Sequence, residues 1–330
     1  MQHNKLISLA DAVERYSWDG MQYASGASLP VGSDAIVFGR ELVRRQRRDL
    51  HALFHCNTQQ LNLLAATGAV GKAECGFTGL EVFGFANGLR RAVESGQLVL
   101  EDYSNLSFGL RLLAGAMNWP FAPATVNIGS DIQWRSAFAP DEYPARAKIP
   151  TVTDPFSGRE IGALSPLKPD VAAIHVPLAD PLGNAIMLGT EWNRFELSRA
   201  AKKVVLIADA IVDTACMRQF PNLVRIPDII VEAVVYWPFA AWPQSSPGLY
   251  DVDEAHMQAM NKALATPEGT VDYVRQYIDG YADIDSYLDM IGRDTVERLS
   301  HTGTAFLLDP FRQWIKTPEE VRALSSGDAR

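Results

Sequence analysis

PDVAAIHVPLADPLGNA (169–185) is the stretch that decides the fold. Its first half, VAAIHV, is a short run that is apolar except for His175. That is the pattern of a strand covered on both faces, which places it in a parallel sheet wrapped by helices. Its second half closes on a Gly-Asn turn. Beyond it, residues 191–201 read as a helix and VVLIAD (204–209) as the next strand. Toward the amino terminus the same alternation recurs, with helices expected over 34–46, 59–67, 82–94 and 104–117 and strands at 50–55, 72–76 and 98–101. The prediction is an α/β fold, an open and mostly parallel sheet with helices on both faces. Residues 121–169 break the pattern with Pro, Gly and Asp and read as an irregular excursion with short strands. Residues 239–250, rich in Pro, Trp and Ser, read as irregular chain on the surface. The helices expected over 253–265, 267–278 and 283–293, with Thr266-Pro267-Glu268 as a helix start, make the carboxyl-terminal part helical. One domain over 1–300 and a tail over 301–330 are expected.

Composition removes several functions. The 330 residues carry 30 Lys plus Arg against 39 Asp plus Glu, a net charge of −9 with no dense basic run, so nucleic acid is not an expected partner. Cys56, Cys75 and Cys216 form no C-x-x-C pair, which argues against a disulfide framework or zinc ribbon and for a reduced, cytoplasmic setting. Residues 1–16 read as an amphipathic helix rather than a signal peptide, and no run reaches the roughly 20 apolar residues of a membrane span. No G-x-G-x-x-G, P-loop, H-E-x-x-H or G-x-S-x-G occurs. His51 and His55 share a strand face but lack a third ligand, so no metal is expected. Cys75 reads as buried packing rather than a nucleophile.

Three strand exits carry small residues: Gly26-Ala27-Ser28 after MQYAS, Gly76-Phe77-Thr78-Gly79 after KAEC, and Gly129-Ser130-Asp131 after PATVNI. Such exits expose backbone N–H groups suited to an anion or oxyanion, and ligands of open parallel sheets gather at the carboxyl ends of strands. Each can equally be an ordinary turn. Glu81 in TGLEVFG is an acid beside such an exit, or a carboxylate at the positive end of a helix. Glu101 and Asp102 end a strand before Ser104, a plausible N-cap. Read this far, the residues describe a polar, backbone-lined crevice and leave its chemistry open.

Several collinear segments resemble the α subunits of family I coenzyme A transferases of the glutaconate CoA-transferase type. They are LVLEDYSN (98–105), WPFAPATVNIGSD (119–131), DPFSGRE (154–160), PDVAAIHVPLADPLGNA (169–185), IPDIIVEAVVYWPFAAWPQSSPGLYDVD (226–253) and DSYLDMIG (285–292). The resemblance implies a hetero-oligomer that moves coenzyme A between an acyl-CoA and a carboxylic acid by a ping-pong cycle. Coenzyme A would be a substrate, with no permanently bound cofactor. The covalent thioester would form on a glutamate of the β subunit, since this chain has no Ser-Glu-Asn-Gly-like turn. The α-side residues it brings nearest the chemistry are Gly26, Ala27, Ser28, Gly76, Phe77, Thr78, Gly79, Ser104, Gly129, Ser130 and Asp131, with Glu81 as the one candidate acid. Two other outcomes stay open: a related hydrolase that opens a ring in a CoA thioester, for which Asp102 is the acid to consider, and a non-catalytic acyl-CoA-binding subunit. Trp242 stands where the resemblance leads one to expect His. With Trp119, Trp134 and Trp237 it implies a larger, more apolar acyl pocket, or loops packed on the core.

Overall fold

The computed structural model describes residues 3–26, 32–56, 58–142 and 145–325. Helix α1 (Leu9–Tyr16) leads into an alternating run of β1 (Gln22–Gly26), α2 (Ile36–Arg44), β2 (Leu50–Phe54), α3 (Thr58–Ala66), β3 (Val70–Cys75), α4 (Asn87–Glu94), β4 (Val99–Asp102) and α5 (Asn105–Ala116). An excursion follows, with β5 (Ala122–Ala124), the single turn α6 (Asp131–Trp134), β6 (Thr151–Thr153) and β7 (Glu160–Leu164). The chain then returns through β8 (Val171–Ala179), β9 (Ala185–Ile186), α7 (Arg194–Ala200), β10 (Lys203–Ile211), α8 (Thr214–Gln219), β11 (Val224–Ile226) and β12 (Ala233–Tyr236). Helices α9 (Glu254–Ala263), α10 (Pro267–Tyr277), α11 (Ile284–Ile291), α12 (Arg293–Ser300) and α13 (Pro318–Ser325) follow. None of the described helices is long and apolar enough to cross a membrane.

The main sheet runs β4-β3-β2-β1-β8-β10-β12 with every neighbour parallel, as the sequence predicts. All nine residues of β8 are buried. Val171 and Ala173 face one core while Ala172, Ile174 and Val176 face the other, as the pleat requires of a strand covered on both sides. The first core packs α1 to α4 and the carboxyl-terminal helices α9 to α12; the second packs α5, α7 and Val321 of α13. From β1 the chain steps outward to β4, then crosses back to the other side of β1 as β8. That reversal opens a crevice at the carboxyl ends of the strands.

Three local expectations are corrected. The helix expected from Val82 begins only at Asn87: Glu81 (φ 53°) and Gly84 (φ 85°) take positive φ, which a helix does not accept, and Glu81–Phe83 forms a 3-10 turn. The run PATVNI is not a strand up to Gly129, because β5 ends at Ala124 and Asn127 (φ 66°) turns the chain. Residues 239–250 are irregular but not superficial, for Phe239, Ala240, Ala241, Trp242 and Tyr250 are all buried. They carry too much apolar surface to leave in water. Residues 301–325 pack on the same body, with Leu308 and Phe311 buried against Leu178 and Val212, and Ile315 bridging to Val212.

Beneath that irregular segment lies a buried cation that pairs with no carboxylate among the described residues. Arg40 is fully buried, its guanidinium 4.8 Å from the Trp242 ring centroid and 3.4–3.5 Å from the hydroxyls of Tyr287 and Tyr273. His256 lies tilted against Trp242 with centroids 3.9 Å apart, and 3.1 Å from the Tyr273 hydroxyl. Burial, then the nearby Arg40 charge, lowers the His256 pKa to about 3. The native state therefore holds this imidazole neutral while the unfolded chain protonates it near 6.5. Its contribution is complete above about pH 6.5 and falls by about 1.4 kcal/mol per pH unit from there toward pH 3. Urea unfolding from pH 7 to 5 is expected to show a shallower loss of stability in His256→Phe than in the wild type; parallel slopes would refute this.

Candidate active site

The crevice is walled by the exits of β1 to β4. Gly26 ends β1 directly under α7, where a Cβ would stand 2.7 Å from Arg194 Cγ, so a side chain here would push α7 away from the sheet. Ala27 and Ser28 lie outside the described residues. Behind Gly26 runs a buried polar chain in which the Ser25 hydroxyl and the Gln60 amide (3.0 Å) donate to Asp34, and the Tyr23 hydroxyl donates to Gln60 Oε1 at 2.8 Å.

Exits β2, β3 and β4 converge on one residue, Asn105, the first of α5. The Gly76 N–H donates to the His55 carbonyl at 3.1 Å, and a Cβ on Gly76 would stand 2.8 Å from Asn105 Oδ1 and 3.1 Å from His55 Cδ2. Only glycine allows β3 to leave the sheet this close to α5. His55 Nε2 lies 2.8 Å from the Asn105 carbonyl, so this nitrogen carries the proton. Its ring stacks on Phe108 and tilts against Trp192, and burial lowers its pKa, which keeps it neutral. The Cys56 thiol donates to Asn105 Oδ1 at 3.1 Å. Burial and the charge of Glu81 push its pKa up to about 11, against a hydrogen bond from the Trp192 side chain, so it stays a thiol at neutral pH. Phe77 presents its carbonyl to the Thr58 hydroxyl at 3.1 Å, while Thr78 and Glu81 are exposed.

The remaining wall is continuous through Asn127. Ser104 caps α5, its oxygen accepting the Ser107 N–H at 3.2 Å while its hydroxyl donates to Asn127 Oδ1 at 2.9 Å. The Gly129 N–H is taken by Gln133 Oε1 at 2.6 Å, and the Ser130 N–H by the Asn127 carbonyl at 3.2 Å. Both donors are thus satisfied within the turn, and the exposed Asp131 carboxylate lies 3.7 Å from Arg135. Trp242 and Trp237 are buried among aromatics on the helical side. Trp192 reaches the exit of β2, its ring centroid 5.6 Å from that of His55.

Gly26, Gly76–Gly79, Ser104 and 129–131 therefore occupy the ends of strands or the loop beside them. The structure adds His55, Cys56, Asn105 and Trp192. A search for glycine-rich exits misses these because β2 leaves the sheet on His55-Cys56, with no glycine to mark it. Carboxylates on the neighbouring strand ends are engaged: Glu74 pairs with Arg111 and His51, and Glu101 with Lys148 at 2.7 Å. Among the described residues no group of three or more His, Cys, Asp or Glu could hold a metal ion. A groove of about 1040 Å³ exists between α1, α11 and α13, but it lies beyond the edge strand β12 and none of these exits lines it. The crevice offers close backbone approach at Gly76 and the exposed carboxamide of Asn105, while the Gly76, Gly129 and Ser130 N–H groups are already hydrogen-bonded.

The coenzyme A transferase family model matches residues 6–236. An uncharacterized protein of Archaeoglobus fulgidus is 35% identical over 292 residues, 88% of this chain and 62% of that protein, so the chain spans less than two thirds of this relative's length. The A-type subunit of glutaconate CoA-transferase from Acidaminococcus fermentans is 27% identical over 297 residues, 88% of this chain and 92% of its own. The crystal structure of glutaconate coenzyme A-transferase from A. fermentans superposes with a TM-score of 0.83 at 24% identity, covering 91% of this chain and 96% of that one, and it establishes the shared fold.

Proposed function

This chain belongs to the coenzyme A transferase family, and we propose that it is the α-type subunit of a two-chain enzyme that moves coenzyme A between an acyl-CoA and a carboxylic acid. In this reading a carboxylate attacks the thioester carbonyl and expels the CoA thiolate, leaving a mixed anhydride. The thiolate then attacks the enzyme-side carbonyl of that anhydride, giving an enzyme thioester and the free acid. An acceptor acid reverses the two steps. The observation that carries the reading is the make-up of the crevice: backbone and mostly neutral side chains at the exits of β1 to β4, with Glu74 and Glu101 already paired and the exposed Asp102 carboxylate 3.5 Å from Lys148. The attacking glutamate is accordingly assigned to a β subunit. Gly26, Ala27, Ser28, Gly76 to Gly79, Ser104 and 129–131 form the shelter on this side, and Glu81 is an exposed acid beside it.

The test is to co-express the chain with its β subunit, incubate the complex with a panel of acyl-CoAs, and weigh both chains intact after quenching. The expected result is a coenzyme A adduct on the β chain that a free acid discharges. Thioester consumed with no adduct on either chain, and with water incorporated into the product, would replace transfer by hydrolysis and make Asp102 and Glu81 the residues to change.

A further inference from the structure

We infer that Asn105 is the residue of this chain that donates hydrogen bonds to the reacting oxygen of the substrate, a thioester carbonyl or carboxylate, and that Cys56 is the positioning residue that aims its amide. The inference rests on the transferase reading. A carboxamide has one accepting end and one donating end. In Asn105 the accepting end is turned inward: Oδ1 takes the Cys56 S–H at 3.1 Å and lies against Gly76, where a Cβ would be 2.8 Å away. The backbone is fixed as well, because its carbonyl takes the proton of His55 Nε2 at 2.8 Å. Among the described residues the two Nδ2 hydrogens meet no acceptor and form the outward end of an exposed residue, at the point where three strand exits meet.

The amide is not free to turn over. Reversal would exchange the S–H···Oδ1 bond at 3.1 Å for an Nδ2–H···S contact and take the acceptor away from the Cys56 S–H. Burial and the Glu81 charge keep that thiol protonated, so Cys56 serves as a donor and not as a nucleophile. Asn105 is also the first residue of a twelve-residue helix, so the positive end of its dipole adds to the two N–H groups facing an oxyanion. The neighbouring Ser104 is engaged by its cap and by Asn127, which leaves this role to Asn105.

The experiment takes the complex with its β subunit in wild-type form and as four variants: Asn105→Ala, Asn105→Asp, Cys56→Ala and Cys56→Ser. Asn105→Ala is expected to lower kcat by about 100-fold with a smaller change in KM, the usual cost of one oxyanion donor. Asn105→Asp, which replaces donor with charge, should lose at least as much. Cys56→Ala should lose roughly 10-fold through a misaimed amide. Cys56→Ser, whose hydroxyl also donates, should recover to within about threefold of the wild type, a rescue that a packing role would not give. In parallel, the Asn105 side-chain amide resonance, identified by its absence in Asn105→Ala, should shift when acetyl-CoA is added. If the wild-type complex fails to transfer, the transferase reading fails while the resonance still decides this inference. An unmoved resonance, or Asn105→Ala with unchanged kcat, overturns it. Equal losses in Cys56→Ala and Cys56→Ser overturn the part assigned to Cys56.

Discussion

Lys148→Met is expected to cost about 3–5 kcal/mol of stability, the usual consequence of removing one partner from a buried ion pair. The Lys148 and Glu101 side chains are 4% and 2% exposed, with Nζ 2.7 Å from Glu101 Oε1, and the same ammonium donates to the Asp102 carbonyl at 2.7 Å. It also lies 4.7 Å from the Tyr103 ring centroid, and Arg111 faces that ring at 4.0 Å. Without the lysine, the Glu101 carboxylate keeps, among the described residues, the Ser136 hydroxyl and a long contact to the Phe138 N–H. It must then stay charged in a dry site, take up a proton, or pull the excursion off the sheet. The third course matters because the excursion carries residues 127–131, and in the proposed transferase reading the KM for acyl-CoA should rise with the loss of stability. Urea titration checks the effect, and a double-mutant cycle with Glu101→Leu should recover much of it. A cost below about 1 kcal/mol would place the pair with exposed salt bridges. The small core of Ala114, Ala122, Ile149 and Leu164 would then be what holds the excursion.

Gly115→Ala is the second large effect. Gly115 lies on α5 where that helix packs beside α7, and a Cβ there would fall 1.8 Å from the Leu167 carbonyl oxygen and 3.2 Å from Ala200 Cβ. The obstacle is backbone, and it is anchored. The Leu167 N–H donates to the Arg111 carbonyl at 2.9 Å, and Arg111 Nε donates to the Ser165 carbonyl at 3.0 Å. Making room would shift α5, and with it Asn105 and Ser104 at its amino end. The expected cost exceeds the 1–3 kcal/mol of ordinary overpacking, above about 3 kcal/mol, despite alanine's better helix propensity. Gly303→Ala is the control: nothing lies within 4 Å of its Cβ position, and its stability should stay within about 0.5 kcal/mol of wild type. Thermal unfolding of the two variants compares them directly; similar midpoints would show that α5 has room to move.

The parallel order could be read from sequence because period and length carry it. VAAIHV has no polar face to give to water, and the helices between the early strands each show one apolar stripe. Helix ends were legible where chemistry marks them: Thr266 caps the Gly269 N–H, and Ser104 makes a capping box with Ser107. Boundaries fail where a non-glycine residue takes positive φ. Glu81 and Asn127 do so because the tertiary setting holds them there, and no local signal announces it. The glycine-rich exits were correctly placed as ends of β1 and β3, yet the N–H groups of Gly129 and Ser130 turned out to be committed within their own turn.

The sequence by itself determined the layer architecture, the family and the strands that leave the sheet on glycine. Those properties follow from hydrophobic period, from turn chemistry and from the collinear order of segments. The tertiary structure decided which side chains meet at the strand exits. Cys56, Gly76 and Asn105 are tens of residues apart in the chain and adjacent only because β2, β3 and β4 lie side by side at nearly the same height. Likewise Trp242 faces Arg40 and His256 rather than a ligand, a choice made by how the carboxyl-terminal helices fold back over the sheet. A hydrogen bond between distant residues depends on position to within a few tenths of an ångström, and local pattern carries no information at that scale.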